Sequence, residues 1–99
     1  VGSEMCKETG PVLSIIKVKD RKEAIEVANA VDFGLSSAVF GEEKEALEIA
    51  KEIEAGECYI NISGKGPNLP FGGYKQSGVG REGGIFGLLE YYQTKSIYN

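Results

Sequence analysis

The sequence predicts an α/β fold: βαβαβ units with a parallel sheet, then a glycine-rich loop, a C-terminal helix and a C-terminal strand. Short β-branched runs alternate with segments whose apolar residues recur at helical spacing. The connections have the length of crossover helices, which place strands parallel in one sheet. More than half of the 14 glycines fall in residues 63–84.

The first strand is expected over residues 12–18, a β-branched run that opens after Gly10-Pro11 and reads as buried on both faces. Asp20 supplies an N-cap oxygen and Glu23, three residues on, completes a capping-box-like start. In the helix that follows, Ala24, Ile25, Ala28 and Val31 share one stripe, and Gly34 closes the unit after Phe33. A second strand is expected over residues 36–40. Glu42 and Glu43 then favour the first turn of a second helix, where carboxylates meet the positive end of the helix dipole. Ala46, Leu47, Ala50 and Ile53 form its packing stripe, Gly56 terminates it, and residues 57–62 form a third strand. Lys22, Glu26, Glu43, Lys44, Glu48, Lys51 and Glu52 alternate in sign and belong to a solvated face.

Length and composition restrict the function. A chain of 99 residues is one domain, short for an enzyme that must hold both a dinucleotide and an organic substrate. At this size roughly two-thirds of the unfolded surface is buried on folding, so missing neighbours would be felt. A formal net charge of −4 argues against nucleic acid, whose binders cluster Lys and Arg. Apolar runs fall far below the ~20 residues of a membrane-spanning helix. The chain contains no histidine, which removes His-based zinc sites, Ser-His-Asp relays and Cys-His nucleophile pairs. Cys6 and Cys58 stand far apart without metal spacing. Cys58 reads as a small apolar strand residue, and the cysteine usage fits a reducing cytoplasm. The chain begins at Val1 and continues Gly2-Ser3, which suggests a piece cut from something longer or a leader at residues 1–9.

In residues 63–84 backbone conformation matters more than side-chain burial, because glycine is tolerated where φ is positive or another backbone approaches closely. A long loop of this kind serves either a functional site or packing against a neighbouring domain. Gly78-Val79-Gly80 is a weak match to a dinucleotide loop: it follows no strand directly, and Glu82 stands ahead of Gly83 where the spacing requires otherwise.

The run Pro70-Phe71-Gly72-Gly73-Tyr74-Lys75-Gln76-Ser77-Gly78-Val79-Gly80-Arg81-Glu82-Gly83-Gly84 resembles the PFGGxKxSGxGREGG segment of the aldehyde dehydrogenase superfamily. Upstream, Ala55-Gly56-Glu57-Cys58-Tyr59-Ile60-Asn61 is similar to the family's AGxVxIN strand, and Phe33-Gly34-Leu35 with Val39-Phe40 to its YGLxxxVF unit. Downstream, Gly87-Leu88-Leu89-Glu90-Tyr91 and Lys95 match its GLxEYxxxK ending. The resemblance runs from about Gly10 to the C-terminus. It implies the C-terminal part of a catalytic domain that oxidises an aldehyde to a carboxylic acid through a cysteine thioester and hydride transfer to NAD or NADP.

The resemblance also implies roles for single residues. Phe71 matches an aromatic at the inner end of the substrate tunnel, or else packs in the core. Asn61 lies near the substrate cleft, or else tethers a loop. Glu82 matches a carboxylate in a proton and water path, against the competing reading of a salt bridge to Arg81 or Lys75. Before the first strand the family carries Glu-x-Phe-Gly-Pro, with the glutamate on the nicotinamide ribose and the phenylalanine near the nicotinamide. Here Lys7-Glu8-Thr9-Gly10-Pro11 stands instead, so an ungapped match puts Lys7 and Thr9 in those roles and a deletion leaves Glu8 as the ribose ligand.

The family's FxxxGQxC nucleophile segment, general-base glutamate and cofactor domain are not in this sequence, and neither cysteine has the nucleophile's flanks. The chain is therefore expected to be inert alone and to bind no dinucleotide tightly. Its expected partners are the remaining segments or a second chain, further copies of itself through residues 94–98, and a small aldehyde. The alternative is a non-catalytic structural or oligomerisation module with the same fold.

Overall fold

The computed structural model describes residues 12–62, 66 and 68–99. Helix α1 spans Arg21–Asn29 and starts as its sequence dictates: Asp20 accepts from the Glu23 backbone N–H at 2.8 Å. The Glu23 carboxylate reaches back one residue further than a capping box does, accepting from the Lys19 N–H at 2.7 Å. Strand β1 (Phe33–Gly34) and strand β2 (Ser36–Val39) follow. Helix α2 spans Glu43–Glu52, and Glu42 is its N-cap, accepting from both Lys44 N–H and Glu45 N–H. Strand β3 (Glu57–Ile60), strand β4 (Tyr74–Lys75) and helix α3 (Gly84–Leu89) complete the order.

Two small sheets result. β2 and β3 are parallel, joined through α2, with Ser36 opposite Glu57 and Val39 opposite Ile60. This is one βαβ unit, as the alternation predicts. β1 pairs antiparallel with β4, Phe33 opposite Lys75 and Gly34 opposite Tyr74. Two-residue strands carry no readable periodicity, so this pairing was not foreseen.

Several expectations differ. Residues 12–18 form no strand, and Leu13 and Ile15 are 83% and 85% exposed. A strand is defined by a hydrogen-bonded ladder to a neighbour, and neither described sheet includes residues 12–18. Residues 94–98 likewise form no strand, for the same reason. The glycine-dense stretch is not a single loop, because β4 and a turn closed by Ser77 N–H to Tyr74 O at 3.0 Å interrupt it.

Packing is thin. Ala46 on α2 is the buried hydrophobic residue among those described, and its stripe partner Leu47 stays 46% exposed. In α1, Ala24 and Ile25 are half-buried but Ala28 and the following Val31 are exposed. The charged residues predicted to face water all do so. A radius of gyration of 16.8 Å exceeds the ~13 Å of a compact domain this long. α2 ends at Glu52, so Gly56 does not terminate it. Gly56 instead donates its N–H to Gly34 O at 3.0 Å, and a Cβ there would overlap the Gly72 carbonyl. Glycine at 56 serves close approach of two backbones.

Candidate functional site

The site is built where the glycine-dense stretch returns onto β1 and β3. Gly34 donates to Ser77 Oγ at 2.9 Å and Gln76 to Asp32 O at 2.9 Å, which extends the β1–β4 pairing on its outer side. Phe71 and Glu82 exchange both backbone hydrogen bonds, at 2.6 and 2.7 Å, as an isolated antiparallel bridge. The structure thus brings the two predicted residues together. Their contact is through the main chain, and the Glu82 side chain is exposed.

The salt-bridge reading of Glu82 finds its named partners engaged elsewhere. Arg81 donates to Gly73 O and Gly80 O at 3.1 and 2.8 Å and lies 5.6 Å from the Tyr74 ring centre. Lys75 donates to Asn29 O at 2.8 Å and Val31 O at 3.2 Å and pairs with the Glu54 carboxylate.

Asn61 follows β3 with φ at +54°, a conformation asparagine tolerates better than most residues. Its amide meets both polar groups of Gly41: Oδ1 accepts from Gly41 N–H and Nδ2 donates to Gly41 O, each at 2.9 Å. The loop-tethering role is thereby observed. Asn61 borders a hollow with Glu43, Leu47 and Ile60, apart from the Phe71–Glu82 bridge. Glu8, Lys7, Thr9 and Cys6 lie outside the described residues.

A groove of about 590 Å³ runs between β3 and the returning chain, lined by Cys58, Ile60, Ile62, Leu69 and Pro70 among others. Cys58 is a free, half-buried thiol on β3, in keeping with its reading as an apolar strand residue. Burial, and secondarily the Glu57 carboxylate that accepts from the Tyr59 hydroxyl at 3.2 Å, raise the Tyr59 pKa.

Two residues were missed in the sequence. Asn29 holds the end of α2 to the end of α1, donating to Glu52 O and accepting from Glu54 N–H, both at 2.8 Å. Ser77 anchors β1. The signal for Asn29 was an amide able to donate and accept at a helix end; nothing local marked Ser77.

Among the described residues no group of three His, Cys, Asp or Glu could hold a metal, and no helix is long and apolar enough to cross a membrane. Gly78, Gly80 and Gly83 lie between β4 and the N-terminus of α3. α3 has six residues and no side-chain cap.

Comparison with known proteins agrees with the motifs. A model of the aldehyde dehydrogenase family matches residues 4–97. A putative aldehyde dehydrogenase of Staphylococcus aureus (strain USA300) is 52% identical over 89 residues, 89% of this chain and 19% of that protein. A mutant of aldehyde dehydrogenase C from Pseudomonas syringae, solved in complex with NAD+ and octanal, superposes with a TM-score of 0.84 at 44% identity, over 89% of this chain and 18% of that one. An NAD-dependent aldehyde dehydrogenase from Sinorhizobium meliloti gives 0.82 at 49% identity, over 87% and 18%. The fold and the glycine-dense motif match one segment of these larger α/β proteins. The chain belongs to the aldehyde dehydrogenase family, and it spans about a fifth of the length of the relatives it matches.

Proposed function

We propose that this chain is the C-terminal part of the catalytic domain of an enzyme that oxidises an aldehyde to a carboxylic acid with NAD or NADP, and that it is not competent alone. The observation that carries this reading is the match of residues 4–97 to the family, together with a relative solved with NAD+ and octanal. The reaction needs a nucleophile, a hydride acceptor and a water-activating base. The known chemistry of the family places these in segments that this sequence does not contain, so a further segment or a second chain supplies them.

Within the complete enzyme, Phe71 presents an apolar ring to the aldehyde, and Asn61 holds the cleft edge by fixing the Gly41 turn. Glu82 relays a proton to or from water near the reacting carbon, a role favoured when a neighbouring segment covers its now exposed carboxylate. Glu8 grips the nicotinamide ribose. The remaining dinucleotide contacts belong to the segments supplied from outside this chain. A cytoplasmic setting and a homo-oligomer, with residues 94–98 pairing between copies, belong to the same reading; an unpaired edge favours such pairing.

The test is complementation. Purified chain mixed with a polypeptide carrying the family's nucleophile and dinucleotide segments is expected to gain NAD(P)-dependent aldehyde oxidation that neither part shows alone. A monodisperse oligomer that gains nothing from that polypeptide would contradict the reading and favour a non-catalytic structural module.

A further inference from the structure

The geometry points to Lys75 as a positioning residue: its ammonium ties the end of α1 and the Glu54 carboxylate to β4, and so fixes where the Phe71–Glu82 pair is held. Three acceptors converge on one nitrogen. Asn29 O and Val31 O stand 2.8 and 3.2 Å from Nζ, and the Glu54 carboxylate completes the set. The first two acceptors lie at the C-terminal end of α1, where unpaired carbonyls and the negative end of the helix dipole attract a cation. The side chain is 27% exposed, so solvent screens the contact only in part.

The backbone agrees. Lys75 sits at φ +53°, a region that non-glycine residues occupy rarely and keep only when their surroundings over-determine it. Its own strand register opposite Phe33 and the three side-chain bonds supply that determination. Gly73 and Gly72 separate β4 from Phe71, and both are packed: a Cβ on Gly73 would overlap Ser77, and one on Gly72 would overlap Gly80 O. A shift at Lys75 therefore has little slack to absorb it before reaching Phe71 and, through the bridge, Glu82. Asn29 extends the coupling to α2 by its bonds to Glu52 and Glu54.

This inference deepens the proposed function, because only an aldehyde-handling Phe71 gives the lock a catalytic consequence. The primary test does not depend on activity. Hydrogen exchange is followed at single amides in the full chain, in Lys75→Met and in Lys75→Arg. In Lys75→Met the Phe71, Gln76 and Glu82 amides are expected to exchange about tenfold faster through local opening. The Glu57 and Asn61 amides, which bond to Leu35 O and Val39 O, stay unchanged. Lys75→Arg is expected to restore protection in part. Unchanged exchange at Phe71 and Glu82 overturns the inference, as does uniform acceleration that includes Glu57 and Asn61. In the complete enzyme, Lys75→Met is expected to raise KM for the aldehyde about tenfold while KM for the dinucleotide stays within about twofold; a parallel rise in both overturns the positioning role. If the unsubstituted assembly shows no activity, the proposed function fails and the exchange result alone decides on Lys75.

Discussion

Phe71 and Glu82 face each other across an antiparallel bridge whose two hydrogen bonds, 2.6 and 2.7 Å long, are made entirely by the main chain. The pairing does not engage the Glu82 carboxylate, and its two expected ion-pair partners among the described residues, Arg81 and Lys75, bond elsewhere. Glu82→Gln should therefore shift the stability of the chain by no more than about 0.5 kcal/mol, as for other surface changes. In the assembled enzyme the same change should slow turnover about a hundredfold, the scale of a lost proton-transfer group. Urea unfolding and steady-state rates check the two halves; a large loss of stability with unchanged turnover would reverse the assignment.

Gly56 and Gly41 make a matched pair of tests. A methyl group at 56 would collide with the Gly72 carbonyl, a backbone atom that cannot swing aside, whereas one at 41 meets nothing within 4 Å. Gly56→Ala is expected to cost about 1–3 kcal/mol, the usual range for overpacking. Gly41→Ala should be close to neutral by the same urea titration. Equal effects would mean that the approach of β3 to the returning chain is not close in solution.

Asn61→Ala should destabilise by about 1–2 kcal/mol, because it removes both hydrogen bonds to Gly41 and places alanine at positive φ. Asn61→Asp retains the acceptor and should fall between the two. If alanine and asparagine unfold at the same urea concentration, the tether carries no stability.

Glu42 gives a pH dependence of definite sign. The N–H groups of Glu45 and Lys44 that cap α2 on its carboxylate lower its pKa. A lowered folded-state pKa means a contribution fully present above the ordinary carboxylate range and lost as pH falls through the folded value. Glu48, lowered chiefly by its hydrogen bond from Lys51, acts in the same direction. Helical circular dichroism should thus decline on acidification, with Glu42→Gln showing a smaller decline. An identical acid response in the two proteins would remove Glu42 from the account.

Much of the fold was legible because its signals are local. Asp20 and the acidic start of α2 are cap chemistry, the stripe around Ala46 is a helical period, and β2 and β3 are short runs set off by Gly34, Gly41 and Gly56. What could not be read depends on partners distant in sequence. Residues 12–18 have the composition of a buried strand, yet composition does not supply the neighbouring edge that would make them one. The β1–β4 pairing joins residues some forty positions apart through two-residue strands, and Lys75 acquires its role only when α1 and β4 meet. At the site, Phe71 and Glu82 were found through the motif. The motif carried no sign of the reciprocal bonds between Asn61 and Gly41, which join residues twenty positions apart.

In the proposed function the reactive sulfur belongs to polypeptide other than these 99 residues. Intact-mass measurement of the purified chain, after incubation with an aldehyde and NAD+, tests it most directly. An unmodified chain and no NADH are expected. An acyl adduct on Cys6 or Cys58 that forms together with NADH would contradict it.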